Sequence, residues 1–299
     1  MCHLKGWIIL ILSFSLIMPS NITAAMRNTK LLKAQQNATW LWHTEQIVQN
    51  PDQIIAFLLK QNINQLYLQV DYDLELEQYK SFIKKASNEG IEIHALEGAP
   101  EWVSDKGEVS QNLFFNWLTK YQEDAEADEK FKGVHLDIEP YLNLTYCIDK
   151  NMILERYQKL LLDAANRCSV INLKLAVDIP FWFDEVVYAT QYGEGILAEW
   201  IINHIKYVVI MAYRDTAWGE NGIIKLVSNE IEYAKAYGCM ITIAVETQQS
   251  CEGDFVSFYE EGQSCMNNEL SLVYKHYKDS SSFDGFAVHH IMSWMHLKI

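Results

Sequence analysis

The residues best placed to do chemistry lie in one nonapeptide, Gly133-Val134-His135-Leu136-Asp137-Ile138-Glu139-Pro140-Tyr141. An imidazole and two carboxylates recur at alternate positions. In an extended chain they share one face, with roughly 7 Å between successive groups. Two acids so close raise the proton affinity of one member, which can then donate a proton while its neighbour carries charge. His135 could share protons with Asp137 or tune it. A solvated edge strand would show the same alternation, so the setting of this stretch decides its meaning.

Val134, Leu136 and Ile138 make the opposite face apolar, the period-two pattern of a strand, and Pro140, lacking an N–H, should end it. Similar apolar, β-branched or aromatic runs occur over 38–45, 63–71, 91–97, 173–179, 207–213, 240–246 and 285–292, giving eight predicted strands with 133–139. Helical spacing is predicted over 52–61, 76–89, 111–130, 152–167, 184–204, 223–237 and 267–278, with Pro51 suited to a helix start and Gly90 to a helix stop. Strand–helix alternation of this length predicts an α/β fold, a single-domain (β/α)8 TIM barrel over residues 26–299, with a doubly wound open sheet as the alternative. Seven residues follow position 292, too few for a helix of ordinary length, so the last helix is expected to be missing or replaced by the segment 26–37.

In such barrels the chemistry sits at the carboxyl ends of the strands. There the sequence places His43, Asp71, Glu97, then His135 with Asp137 and Glu139, Asp178, Tyr213 with Arg214, Glu246, and His289 with His290. Trp42, Trp102, Trp182, Trp218 and Trp294 fall at or just after strand ends, and indole faces stack well on sugar rings. The stretch 247–268 is long for a strand–helix connection and suits a binding wall or lid.

At this point the sequence resembles the family 18 chitinase-like glycoside hydrolases. That family carries D-G-x-D-x-D-x-E on its fourth strand, M-x-Y-D on its sixth and a Trp on its eighth. Here stand Lys132-Gly133-Val134-His135-Leu136-Asp137-Ile138-Glu139, Met211-Ala212-Tyr213-Arg214 and Trp294. Lys132, His135 and Arg214 replace three of the family's aspartates, and Leu96-Glu97-Gly98-Ala99 stands where S-x-G-G would be. The resemblance implies a hydrolase of N-acetylated polysaccharide or oligosaccharide. Glu139 would be the general acid, Asp137 would orient an acetamido group that acts as internal nucleophile, and Tyr213 would hold that group. A covalent retaining scheme is equally open, with Glu246 as nucleophile and Glu139 as acid, which needs carboxyls about 5–5.5 Å apart. His43, Asp71, Glu97, His135, Asp178, Trp182, Arg214, His289, His290 and Trp294 are the expected substrate-binding residues. No cofactor and no metal is expected.

Two other classes fit parts of the sequence. A glycan-binding barrel without turnover would explain the replaced aspartates. A metal-dependent hydrolase could use His43, His135, Asp137, His289 and His290, although the H-x-H of such barrels is missing from strand one. A net charge of −15 argues against nucleic acid and against anionic membrane surfaces as partners. Hydrophobic residues make up 49% of the chain, ample for a sizeable core.

Residues 1–25 read as a secretory signal: Lys5, an apolar run over 7–18 and a small-residue exit at Thr23-Ala24-Ala25. The run is short for a membrane span. The expected location is therefore extracellular, or the cell surface should the segment remain uncleaved. Beyond the signal lie Cys147, Cys168, Cys239, Cys251 and Cys265, an odd number, of which Cys251 and Cys265 could bridge in an oxidising compartment. Asn37-Ala38-Thr39 and Asn143-Leu144-Thr145 fit the N-glycosylation pattern.

Overall fold

The computed structural model describes residues 36–299. The signal segment and most of the predicted N-terminal arm lie outside these residues. In chain order the strands are β1 (Gln36–Leu41), β2 (Gln65–Gln69), β3 (Glu92–Glu97), β4 (Gly133–Leu136), β5 (Lys174–Pro180), β6 (Val187–Thr190), β7 (Gly193–Ile196), β8 (Tyr207–Met211), β9 (Met240–Glu246) and β10 (Phe283–His289). Eight of them close into a parallel barrel, running β1-β2-β3-β4-β5-β8-β9-β10 and back to β1. This is the predicted TIM-barrel architecture.

Alternation along each strand sorts side chains into two cores. Val134 and Leu136, with Leu66 and Leu68 of β2, pack outward beneath the helices. Inside the barrel, Ala38, Trp40, Tyr67, Leu96, Val209, Ala244 and Ala287 form a separate cluster. The small alanines leave room for the Trp40 indole and the Tyr67 ring, which meet edge to face at 5.0 Å. The helices cover the outside. Helix Leu76–Asn88 opens with a Glu75–Gln78 capping box, helix Lys150–Val170 is capped by the Asp149 side chain on the Met152 N–H, and Gly238 ends helix Ser228–Tyr237 in the left-handed region.

Two segments depart from the predicted elements. The helix expected over 184–204 is a short 3-10 turn, the antiparallel hairpin β6–β7, and only then helix Leu197–His204. Apolar residues at both ends mimic helical spacing. Gly193 and Gly195, both at positive φ, belong to an extended ribbon. At the other end β10 stops at His289, and the chain turns into the short helix Ile291–Met295. That helix and the tail supply cover after the last strand: Trp294 packs edge-on against Phe57, and the Lys298 carbonyl accepts the Gln263 N–H. Gln36 and Asn37, expected in the arm, are the first residues of β1.

No disulfide forms among the described residues; Cys251 is exposed, and Cys265 lies in the first turn of helix Gln263–Tyr277. Asn37 is buried in β1 and so closed to glycosylation in the folded chain, while the Asn143 amide donates to the Pro100 carbonyl. Among the described residues no helix is long and apolar enough to cross a membrane.

Candidate active site

The pair Asp137 and Glu139 leaves the barrel where β4 ends. The Asp137 N–H still bonds to the Glu97 carbonyl, and Pro140 then opens a 3-10 turn over Pro140–Leu142. The loop after β3 packs flush against this point. A Cβ at Gly98 would lie 2.1 Å from the Asp137 carbonyl oxygen, and Gly98 has φ +144, so only glycine fits. One Asp137 carboxyl oxygen is buried without a hydrogen-bond partner. Burial, then the charges of Asp178 and Glu139, push this carboxyl well above the usual range, which favours its protonated form. Glu139 accepts a hydrogen bond from the Tyr141 hydroxyl, and the Tyr141 ring packs edge-on against Trp182 at 4.8 Å.

Beneath the pair, inside the barrel, His135 is fully buried with its Nε2 2.7 Å from Asp178 Oδ2. The Trp40 indole N–H donates to the same oxygen at 3.2 Å, and the Tyr67 ring stacks on the imidazole at 3.6 Å. Burial lowers His135 to about 3 and raises Asp178 well above its ordinary value. Burial thus disfavours the charged form of each group, and their hydrogen bond offsets part of that cost.

Across the barrel mouth, Glu246 at the end of β9 is held by three donors. Oε1 accepts the N–H groups of Thr247 and Gln248, each at 2.7 Å, and Oε2 faces His289 Nδ1 at 2.8 Å. The Trp42 indole N–H points at His289 Nε2 from 2.9 Å. An indole only donates, so Nε2 accepts and the ring proton sits on Nδ1, facing Glu246. Burial opposes the imidazolium, but the hydrogen bond and charge of Glu246, with Asp137 and Asp178, outweigh it and raise His289. Protonation therefore requires Trp42 to turn away. Tyr213, its ring 5.9 Å from that of His289, is raised by burial and then by Glu246, Asp178, Asp137 and Glu139, and keeps its hydroxyl proton.

Between these groups lies a cavity of about 410 Å³. Glu139, Tyr213, Arg214, Glu246 and Trp182 of the predicted residues line it, together with Tyr141, Phe181, Cys251 and Glu252. Asp137, His135, Asp178 and His289 adjoin or underlie it through the contacts above. The other predicted residues do not line it. His43 is exposed and faces Glu45; Asp71 caps its own turn through the Asp73 N–H; Glu97 takes the Tyr72 hydroxyl and the Gly98 N–H. His290, lowered to about 4 by burial and by His289, leads into the last helix. Trp294 is buried beneath that helix against Phe57, away from the cavity.

Of the other strand-end tryptophans, Trp102 is buried and Trp218 stands 58% exposed, so the indole wall reduces to Trp182 with Trp42 behind His289. Among the described residues no set of three His, Cys, Asp or Glu side chains converges as metal ligands. The 247–262 connection does form one wall, through Gln248 to Glu252 and Val256. A second cavity, about 470 Å³, opens at the amino-terminal end of the barrel among Glu92, Lys174, Lys206 and Asp284, remote from the paired carboxylates.

Sequence reasoning assigned no role to Tyr141, Trp40 or Tyr67. Tyr141 had a signal, since two residues beyond Glu139 in a turn it can fold back on the carboxylate. Trp40 and Tyr67 read as ordinary strand aromatics, and only barrel closure brings them to Asp178 and His135.

No protein-family model matches the chain, and no curated protein matches it in sequence. Solved structures do match. A GH18 chitinase from Cycas revoluta in complex with (GlcNAc)4 superposes with a TM-score of 0.52 at 11% identity, over 86% of this chain and 95% of that one. The spore cortex-lytic enzyme SleL of Bacillus megaterium gives 0.52 at 12% identity, over 87% and 72%. The GH18 chitinase ChiB of Flavobacterium johnsoniae gives 0.51 at 14% identity, over 87% and 89%. The closed eight-stranded barrel of this chain has the fold of the family 18 chitinases.

Proposed function

We propose that this protein is a glycoside hydrolase that cleaves N-acetylated polysaccharide or oligosaccharide outside the cell, residues 1–25 serving as its export signal. One observation carries the reading. Asp137, with one carboxyl oxygen buried and its proton affinity raised, stands two residues before Glu139 just beyond β4, and Glu139 shares its cavity with Tyr213 and Trp182. The Cycas revoluta chitinase of the same fold holds (GlcNAc)4 in one structure and allosamidin in another.

In this mechanism a sugar ring stacks on Trp182 with its acetamido group between Asp137 and Tyr213. The acetamido N–H donates to Asp137, and a proton held on Asp137 passes to Glu139. Glu139 gives it to the leaving glycosidic oxygen while the acetamido oxygen closes on the anomeric carbon. The Tyr213 hydroxyl stabilises the charge that develops on that group. Water then opens the ring intermediate as Glu139 takes a proton back. Glu246, bound by two backbone amides and by His289, serves as a fixed negative charge across the cleft.

A reducing-end assay on chitohexaose and on its de-N-acetylated counterpart tests the scheme. Release from the first only is expected, because the internal nucleophile is lost with the acetyl group. Equal release from both would favour Glu246 as nucleophile. A glycan-binding barrel without turnover is the second reading, favoured by the Tyr141 hydroxyl seated on the Glu139 carboxylate. Retention of chitohexaose with no product from either oligomer would select it.

A further inference from the structure

Arg214 stands where the resembled family has an aspartate, and its setting is unusual for a structural arginine. The guanidinium lies between two aromatic rings, with its central carbon 4.9 Å from the Phe181 centroid and 5.2 Å from that of Phe255. Nε donates to Asn221 Oδ1 at 2.8 Å, and Nη1 donates to the Tyr213 carbonyl at 2.7 Å. These contacts fix the plane of the group and use two of its five N–H donors. The remaining N–H groups, on Nη1 and Nη2, have no acceptor among the described residues. None of the ion pairs among the described residues involves Arg214. Asp215 and Glu252 contribute only a longer-range field.

Among the described residues lining the 410 Å³ cavity, Arg214 is the sole cation; Glu139, Glu246 and Glu252 are its acids. A half-buried cation held rigid, stripped of a carboxylate partner and placed in a ligand cavity is built to meet an anion. Its free edge suits a two-oxygen acceptor.

We propose that Arg214 is a specificity-determining residue that selects sugar chains bearing an anionic substituent, a carboxylate or a sulfate ester, on the saccharide filling this cavity. The inference rests on the glycan reading and narrows its substrate class. A neutral chitin-type chain would leave the guanidinium desolvated and unpaired, which disfavours it.

The test is binding of the full-length protein to matched oligosaccharides at one ionic strength. The probes are chitohexaose (neutral), a hyaluronan octasaccharide (uronate carboxylates), the same octasaccharide with its carboxyls reduced to alcohols, and a 6-sulfated keratan oligosaccharide. At least tenfold tighter binding of one anionic probe than of chitohexaose is expected. Which of the two it is separates carboxylate from sulfate. In Arg214→Met, which keeps an unbranched stem between the two rings, the ratio should fall to within twofold. An unchanged ratio in the variant would overturn the proposal, as would chitohexaose bound as tightly as both anionic probes. If the variant does not fold, the wild-type protein still decides: for a carboxylate selector, reducing the octasaccharide must cost at least tenfold, and for a sulfate selector, chemical desulfation of the keratan probe must do so. Binding of chitohexaose without any preference removes this inference alone, whereas failure to bind every probe removes the glycan reading with it.

Discussion

His135 and Asp178, on neighbouring strands β4 and β5, meet at 2.7 Å in the closed interior of the barrel, directly beneath the end of β4. His135 takes the place of the second aspartate in the resembled motif, and Asp178 returns a carboxyl group to that level from the next strand. The layer under the paired acids thus keeps an acid, and the imidazole supplies a partner for it.

Asp178→Ala should be costly to stability. It strands the Trp40 indole N–H and His135 Nε2 without partners in a dry interior, at roughly 1–3 kcal/mol for each group left unsatisfied. Asp178→Asn keeps an oxygen for Trp40 and should lose less than half as much. Urea unfolding at pH 7 measures both. Equal losses would place the cost in packing rather than in the hydrogen bonds.

Trp42→Phe should make His289 more basic. The indole N–H aimed at Nε2 opposes a second ring proton, and the Phe ring removes that opposition while Glu246 continues to favour the imidazolium. A rise of about one pH unit corresponds to the loss of a single opposing contact of roughly 1.4 kcal/mol. The NMR titration of the His289 ring protons reads it directly, and a fall would contradict the tautomer assigned above.

Stability should decline with rising pH through Glu230. This side chain is fully buried in helix Ser228–Tyr237 with neither carboxyl oxygen partnered, and burial, with a smaller contribution from Asp184, pushes it up to about 9. In the unfolded chain it titrates near 4.3. Between those values the folded chain retains a proton that the unfolded chain releases, so the stabilisation present below the unfolded value is lost as pH approaches 9. The limiting slope is roughly 1.4 kcal/mol per pH unit. Glu230→Gln should match the wild type near pH 4 and be more stable at pH 8, as measured by urea unfolding at the two values. A constant difference across this range would contradict the assignment.

Much of this was written in the chain. The alternation of Val134, Leu136 and Ile138 with His135, Asp137 and Glu139 located the strand and its inward face, although β4 stops at Leu136 rather than at Pro140. Glu139, Tyr213, Glu246, Arg214 and Trp182 were identified from strand ends alone and do share one cavity. The losses came where tertiary contacts decide. Trp294 follows the eighth strand in sequence, but β10 stops five residues earlier, and the turn at His290 sends the indole under the helix layer. His43 and Asp71 miss the cavity for a similar reason: β1 and β2 end at Leu41 and Gln69, and both residues already belong to loops, with Glu45 and the Asp73 N–H as partners. The hairpin β6–β7 was hidden because its apolar flanks imitate a helix, and its two glycines were the overlooked cue.

The most direct test of the hydrolase reading is reducing-end release from chitohexaose and from an anionic N-acetylated glycan by the wild type and by Glu139→Gln. The substitution preserves shape and removes the transferable proton. A general acid contributes about 10²–10⁴-fold. Turnover by the wild type, reduced by at least a hundredfold in Glu139→Gln with binding retained, is the predicted result. Equal turnover by the two proteins would contradict the assignment of Glu139 as the acid.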